Sequence, residues 1–297
     1  MSRVRKAVLP VAGLGTRFLP WTKAVAKEML PVVDRPVVQV LVEDCVSAGI
    51  EEIIFVVSPN KSTVQKYFQP DQDLTQALQE KGRVEPLRQL QDLQRAAKFH
   101  FVRQDQPLGD GHAILQAKDL LQGESFVVMF GDELIFNNSG NNAVAQLLQA
   151  FEKLSTAVVG LQEVAPSEVD RFGIVQPGEA LGEDCLAIAN FQEKPKVQQA
   201  FSNLAIVGKY LCPPEIFLAL EQCGRSPDGE LRLIDGLLHL QKSQSICGKV
   251  LQGQRFDTGS KLGFLQANLH AGLRHSELGR DFLDFVKGEL SRLENQK

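Results

Sequence analysis

Gly13, Gly15, Thr16 and Arg17 stand together directly after the apolar run Ala7–Val11, in the segment Ala12-Gly13-Leu14-Gly15-Thr16-Arg17. A strand that runs into such a turn presents bare backbone N–H groups, a hydroxyl and a guanidinium to one small volume. A polyphosphate needs this set for close approach and charge neutralisation. Gly-x-Gly alone fits an ordinary tight strand-to-helix turn equally well. Its company favours phosphate: Arg17, Lys23 and Lys27 follow within one segment that also carries Pro20 and Pro31, which argues against one plain surface helix. No Gly-Lys-Ser/Thr closes the loop and the third glycine of a dinucleotide fingerprint is missing, which disfavours the two familiar nucleotide loops.

Five further segments carry chemistry-bearing residues. The run Ser125–Phe130 is a buried-looking strand that ends in Gly131-Asp132-Glu133. A carboxylate at the C-terminal tip of a central parallel strand is well placed for a metal, the plain alternative being an ordinary acidic turn. Gln104, followed by the turn Pro107-Leu108-Gly109, offers a side-chain amide and bare backbone to a base edge. His112 opens a helix after Gly-Asp-Gly and reads as a polar contact at that helix N-terminus, not as a general base. Gly173 lies inside a strand pattern, consistent with close approach of a ligand. Glu193-Lys194 sets a carboxylate beside an ammonium at a strand end, and Gly208 follows in a third strand pattern.

These residues need a scaffold, and the periodicity supplies one. Strand patterns at Ala7–Val11, Glu52–Val57, Phe99–Arg103 and Ser125–Phe130 alternate with helical patterns at Val37–Ala48 and from Ser62. Such alternation predicts an α/β fold, a mostly parallel, Rossmann-like central sheet with helices on both faces. Ligands bind such sheets at the carboxyl ends of the strands, where the Gly13–Arg17 loop lies. Residues Gln69–Ala97, rich in Gln, Leu, Arg and Asp, predict one or two amphipathic helices on the surface or in subunit packing.

The 297 residues carry a net charge of −4, from 32 basic and 36 acidic side chains. No global basic field therefore recruits nucleic acid or an anionic membrane, and an anionic substrate must be met by local cations. The basic start Met1–Lys6 and the apolar residues after it lack the length and cleavage site of a signal peptide. No run approaches the ~20 apolar residues of a membrane span. Cys45, Cys185, Cys212, Cys223 and Cys247 are odd in number, scattered and without a C-x-x-C pair. They read as reduced thiols of a cytoplasmic protein rather than as a disulfide frame or a zinc site.

The pattern AGLGTRFLP…TKA…KEMLP.VDRP resembles the N-terminal signature of the sugar-nucleotide pyrophosphorylases (nucleotidylyltransferases), and within them the bacterial branch that acts on UTP and glucose 1-phosphate; matches run to about residue 273. The resemblance implies the nucleotide-diphospho-sugar transferase fold, with residues 1–273 as a catalytic domain. It implies transfer of UMP from UTP to glucose 1-phosphate with release of pyrophosphate, assisted by Mg²⁺. Ala12, Gly13, Gly15, Thr16, Gln104 and Gly109 would bind the nucleotide, and Gly173, Glu193 and Gly208 the sugar. Arg17, Lys27 and Lys194 would neutralise the reacting phosphates. Asp132 and Asp257, the latter in Arg255-Phe256-Asp257-Thr258-Gly259-Ser260-Lys261 with Phe256 in a usual Tyr place, would carry the metal. The chain departs from the family pattern at Trp21, Ala26, Ser58–Lys61 and Ile234. A thymidylyltransferase of the same fold, whose loop is usually Gly-Gly-x-Gly-Thr-Arg, and a non-catalytic regulatory homologue, which would be expected to lose Arg17, Lys27 or Asp132, are the alternatives.

Residues 274–297 form a small C-terminal helical element, whose stretch Asp281–Leu293 carries Phe282, Leu283, Phe285, Val286, Leu290 and Leu293 at helical spacing. A helix left over after the sheet is complete often packs on a neighbouring subunit, so a homodimer or homotetramer is expected.

Overall fold

The computed structural model describes residues 3–59, 62–138 and 140–295. Of the departing segment Ser58–Lys61, Asn60 and Lys61 lie outside the described residues, as do residues 296 and 297 of the C-terminal element. The strands are β1 Lys6–Pro10, β2 Pro31–Val32, β3 Arg35–Pro36, β4 Glu52–Val57, β5 Lys98–Arg103, β6 Phe126–Met129, β7 Glu133–Phe136, β8 Ala157–Glu163, β9 Gly173–Gly182, β10 Cys185–Glu193, β11 Leu204–Cys212, β12 Ile246–Val250 and β13 Gln254–Asp257. The helices are α1 Val37–Ser47, α2 Thr63–Phe68, α3 Gln72–Glu80, α4 Glu85–Ala96, α5 Asp110–Gln116, α6 Lys118–Leu121, α7 Ala143–Leu154, α8 Ile216–Gln222, α9 Leu233–Leu240, α10 Lys261–Gly272 and α11 Gly279–Glu294.

Nine strands make one sheet in the order β5-β4-β1-β6-β11-β8-β12-β10-β9. The first four are mutually parallel, as the alternation predicts. Beyond them the sheet is mixed: β11 runs antiparallel to both β6 and β8, β12 is parallel to β8, and β10 is antiparallel to β12 and β9. "Mostly parallel" therefore describes the N-terminal half. The β9–β10 hairpin, turning at Glu183 and Asp184, accounts for the antiparallel pairing of those two strands, because a short turn returns the chain antiparallel where a helical crossover would not.

Successive side chains on a strand point to opposite faces, and the central strands are apolar on both. Ala7, Leu9, Ile53, Phe55, Val127 and Met129 pack one way, with α1, α4 and α7. Val8, Ile54, Phe126 and Val128 pack the other way, with α5, α8 and α9. Covering helices on both faces leave the sheet edge at the strand carboxyl ends as the place for ligands. Val11 N–H bonds to Val56 O and Gln104 N–H to Val57 O at that edge, so the loops after β1, β4 and β5 leave the sheet together.

The Gln-rich excursion forms α3 and α4, and the terminal pattern forms α11, on which Leu283, Phe285, Leu290 and Leu293 are exposed. Phe282 rests against Gly272 of α10, leaving no room there for a side chain. The five cysteines are free thiols, with Cys45, Cys212 and Cys247 buried. Among the described residues no helix is long and apolar enough to cross a membrane.

Candidate active site

The glycine loop after β1 does not continue as a helix. It passes through three single 3₁₀ turns, Thr16–Phe18, Trp21–Lys23 and Lys27–Met29. Thr22 Oγ1 donates to Gly15 O at 2.7 Å, which folds the loop back on itself. Ala12, Gly13, Gly15, Thr16 and Lys27 then line one wall of a cavity of about 440 Å³, with Gln104, Pro107 and Gly109 on another and Asp132 at its floor.

The turn between β5 and α5 is built around Gly109. Its φ is 101°, and a Cβ there would overlap the Leu231 carbonyl, so only glycine fits. Leu231 N–H donates to Leu108 O at 2.8 Å and Gly111 N–H to Leu231 O at 2.9 Å. Gln104, buried, donates from Nε2 to Gly109 O at 3.0 Å and lies 3.0 Å from His112 Nδ1. Burial, and secondarily the Arg225 charge, lower the His112 pKa; the neutral ring accepts from Gln104 and orients it, a polar contact as the sequence suggests.

A second cavity, of about 270 Å³, holds Arg17, Gly173, Glu193, Lys194 and Gly208. Asp110, Phe130, Asp132 and Glu230 line both cavities, so the two are halves of one cleft that meet at the tip of β6. Lys194 has φ 44°, an uncommon conformation for a side-chain-bearing residue, held by its N–H to Phe172 O at 3.0 Å. Such strain concentrates at functional positions. Lys194 Nζ lies 3.4 Å from Glu193 Oε1.

Asp132 and Asp257 are brought together by a two-stranded ladder outside the main sheet, in which β7 and β13 pair with Glu133 opposite Asp257. Thr258 clamps the junction, its N–H and its hydroxyl both donating to Asp132 O, at 2.8 and 2.9 Å. Asp132 Oδ2 and Asp257 Oδ1 lie 2.6 and 3.0 Å from where a Cβ on Gly259 would stand, and Arg17 Nη1 3.2 Å from it. The missing side chain is what lets the two carboxylates and the guanidinium converge.

Cations surround this pair. Lys27 Nζ is 2.5 Å from Asp132 Oδ2, Arg17 Nη1 3.8 Å and Arg171 Nη2 3.3 Å from Asp257 Oδ2. Burial by itself would push the Asp132 carboxyl up, but Lys27, then Arg17 and Lys209, hold it below the usual carboxylate range. Burial would lower the Lys27 pKa, and Asp132 with Glu28 more than restores it. Both groups are thus charged at neutral pH.

Four supporting residues were not picked out from the sequence. Lys209 is fully buried in β11 and donates from Nζ to Glu133 O at 2.6 Å; a lysine inside the apolar run Leu204–Cys212 was the available signal. Arg255 grips the Glu133 carboxylate with two bonds, at 2.7 and 3.1 Å. Arg171 reaches Asp257 from a distant turn, and Asp110 accepts from Leu233 N–H through Oδ1 at 2.7 Å. Their partners are 76 to 123 positions away, a separation no local pattern encodes.

Two carboxylates at a strand tip, with phosphate-sized room and cations around them, define a nucleotide-handling transferase cleft. The family described as Nucleotidyl transferase matches residues 6–272, and the chain belongs to it. The chain is similar to the UTP–glucose-1-phosphate uridylyltransferase of Bacillus subtilis strain 168, 38% identical over 99% of this chain and all of the relative. It is 40% identical to UTP–glucose-1-phosphate uridylyltransferase 2 of Streptococcus pyogenes serotype M1, over 96% of each chain. A solved structure of the UTP-bound UGPase of Acinetobacter baumannii superposes with a TM-score of 0.89 at 38% identity, over 95% of this chain and 98% of that one.

The Asp110 carboxyl has a consequence for stability. Burial pushes it up to about 6 from 3.8, against bonds from Leu233 and Gly111 N–H that favour the ionised form. The native state then binds the proton more tightly than the unfolded chain, so ionisation costs folding free energy. That cost is absent below about pH 4 and complete above about pH 6. Asp110→Asn keeps an oxygen for Leu233 N–H and removes the charge. It should melt roughly 2 °C above the wild type at pH 8, with the difference closing by pH 4. Melting curves offset equally at every pH would contradict the assignment.

Proposed function

We propose that the chain transfers UMP from UTP to glucose 1-phosphate, giving UDP-glucose and pyrophosphate. The observation that carries this reading is the single cleft whose nucleotide-sized and sugar-sized halves meet at Asp132, in a chain similar to uridylyltransferases over nearly its whole length. A phosphate oxygen of glucose 1-phosphate attacks the α-phosphorus of UTP in line. The new P–O bond forms as the bond to the bridging oxygen breaks, and pyrophosphate leaves with that electron pair. The nucleophile is already ionised, so no general base is required and catalysis is positioning plus charge neutralisation. In this reading Arg17 holds the departing pyrophosphate, Lys27 faces the α-phosphate, and Lys194 holds the sugar phosphate. Glu193 accepts from sugar hydroxyls, while Gly173 and Gly208 give the hexose room.

Members of this family generally use a divalent metal. The donor set here fits Mg²⁺: Asp132 and Asp257 converge beside Gly259, and no group of three or more His, Cys, Asp or Glu that could hold a metal occurs among the described residues. Mg²⁺ binds through one or two carboxylates and takes its other ligands from phosphates and water. It would neutralise charge developing on the phosphates. Asp132→Asn should lower kcat/KM by about 10²-fold, or ~3 kcal/mol, with an unchanged circular dichroism spectrum. Near-normal turnover by this variant at limiting Mg²⁺ would remove the metal assignment.

Gln104 and the backbone at Ala12 and Gly109 read the uracil edge in this proposal. UTP and dTTP differ by the C5 methyl and the ribose 2′-hydroxyl, so UTP should be preferred by roughly 10- to 200-fold, with dTTP still measurably used. Pyrophosphate release measured with each nucleotide and glucose 1-phosphate decides it: faster turnover of dTTP makes the chain a thymidylyltransferase.

The exposed apolar residues of α11, with Leu262, Leu265 and Leu269 of α10, support a homodimer or homotetramer built on residues 274–297 and their neighbours. Light scattering at micromolar concentration should give a multiple of 32.8 kDa, and a monomer would exclude it.

A further inference from the structure

The three acidic side chains shared by the two halves of the cleft are not equivalent. Asp132 is paired with Lys27. Glu230 is paired with Arg232 at 3.1 Å. Asp110 has no ion pair within 4 Å among the described residues. Its carboxylate takes backbone N–H bonds from Gly111 and, through Oδ1 at 2.7 Å, from Leu233, and an ionised carboxylate has about four acceptor positions on two oxygens. The bond from Leu233 ties the first residue of α5 to the first residue of α9 and fixes the carboxylate at the wall where the two halves join.

We propose that Asp110 is a specificity-determining residue that accepts a hydrogen bond from a hydroxyl of the hexose, opposite the cations that hold the phosphates. The assignment rests on the uridylyltransferase reading above, and it deepens that reading by naming what selects the sugar. Charge decides which part of the substrates the carboxylate faces. A phosphate oxygen would be repelled, whereas a hydroxyl is a donor that an ionised acceptor binds about twice as strongly as a neutral one does. Asp110 lines both halves, and we assign its acceptor to the smaller one, which it shares with Glu193, Gly173 and Gly208 and where the Glu193 charge acts on it. It also stands beside Leu233 and Ile234, which wall the same half. Two carboxylates, Glu193 and Asp110, then grip the hexose from different elements, the end of β10 and the start of α5.

The test is a panel of glucose 1-phosphate and its 2-, 3-, 4- and 6-deoxy analogues, assayed with UTP on the wild type, Asp110→Asn and Asp110→Ala. The measured quantity is the ratio of kcat/KM for glucose 1-phosphate to that for each analogue within one protein. Such a ratio does not change with the fraction of enzyme folded, so a poorly folding variant still gives an answer. A site that hydrogen-bonds a hydroxyl rejects the analogue lacking it, because its own polar group is left unpaired. The wild type should discriminate about 10²-fold against at least one analogue, and Asp110→Ala should reduce that one ratio to within threefold while leaving the others unchanged. Asp110→Asn should raise the KM for glucose 1-phosphate about tenfold and leave the KM for UTP within twofold. Unchanged ratios for every analogue in Asp110→Ala would overturn the assignment, as would a loss confined to the KM for UTP, which would put the carboxylate on the ribose. A wild type that turns over no UTP with glucose 1-phosphate would instead refute the uridylyltransferase reading itself.

Discussion

Holding Asp132 and Asp257 side by side is the constraint on which the rest of the cleft depends. Two ionised carboxylates around one small space repel each other, and burial raises the cost because the interior screens charge poorly. The chain meets that cost with five cations drawn from four places. Lys27 and Arg17 come from the loop after β1, Arg171 from the turn before β9, Lys209 from β11 and Arg255 from β13. Backbone geometry does the rest, with Thr258 bonded twice to the Asp132 carbonyl and Lys209 bonded to the carbonyl of Glu133. Removing any one of these cations leaves the two carboxylates less fully offset and the site less suited to a polyphosphate.

This dependence explains the order in which the chain is built. The parallel half of the sheet supplies the strand tip with Asp132 and the loops around it. Only after β9, β10 and β11 have been threaded through the mixed half does β13 return to pair with β7 and deliver Asp257. The protein as a whole is acidic, at −4, yet its cleft gathers guanidinium and ammonium groups. Attraction of anionic substrates is therefore a local field set by a few side chains rather than a property of the surface.

Much of this was legible in the sequence. The glycine loop, the strand tip at Asp132 and the Gln104–Gly109 turn each announce themselves through residue types that backbone physics restricts: glycines where the chain turns sharply, an acid where an apolar strand stops. The helices on both faces follow from periodicity alone. The pairing of Asp132 with Asp257 came from resemblance and not from spacing, because a ladder between residues 133–136 and 254–257 leaves no trace in either segment. Arg171, Arg255 and Asp110 stayed hidden for the same reason: each looks like an ordinary polar residue until its distant partner is known. Lys209 differed, since a charge in the middle of an apolar strand is expensive unless paired, and that expense was visible in the run itself. The mixed half of the sheet was missed because apolar runs carry no sign of strand direction.

The strap formed by residues 224–232 joins the two halves of the cleft mechanically. Leu231 accepts from Gly111 N–H and donates to Leu108 O, so it is bonded on both sides to the turn that carries Gly109. Its neighbours Glu230 and Arg232 line the sugar half, and Ser226 and Asp235 tie the strap to α9 through a 2.8 Å bond. The turn that carries Gly109 and the wall formed by Glu230 and Arg232 are thus one hydrogen-bonded unit. Gln104–Gly109 and the residues Glu230 and Arg232 are therefore joined through the backbone bonds of Leu231. The carbonyl that excludes a side chain at Gly109 is the same group that carries the connection. Close approach and the connection are two results of a single backbone contact, and a larger residue at position 109 would break both together.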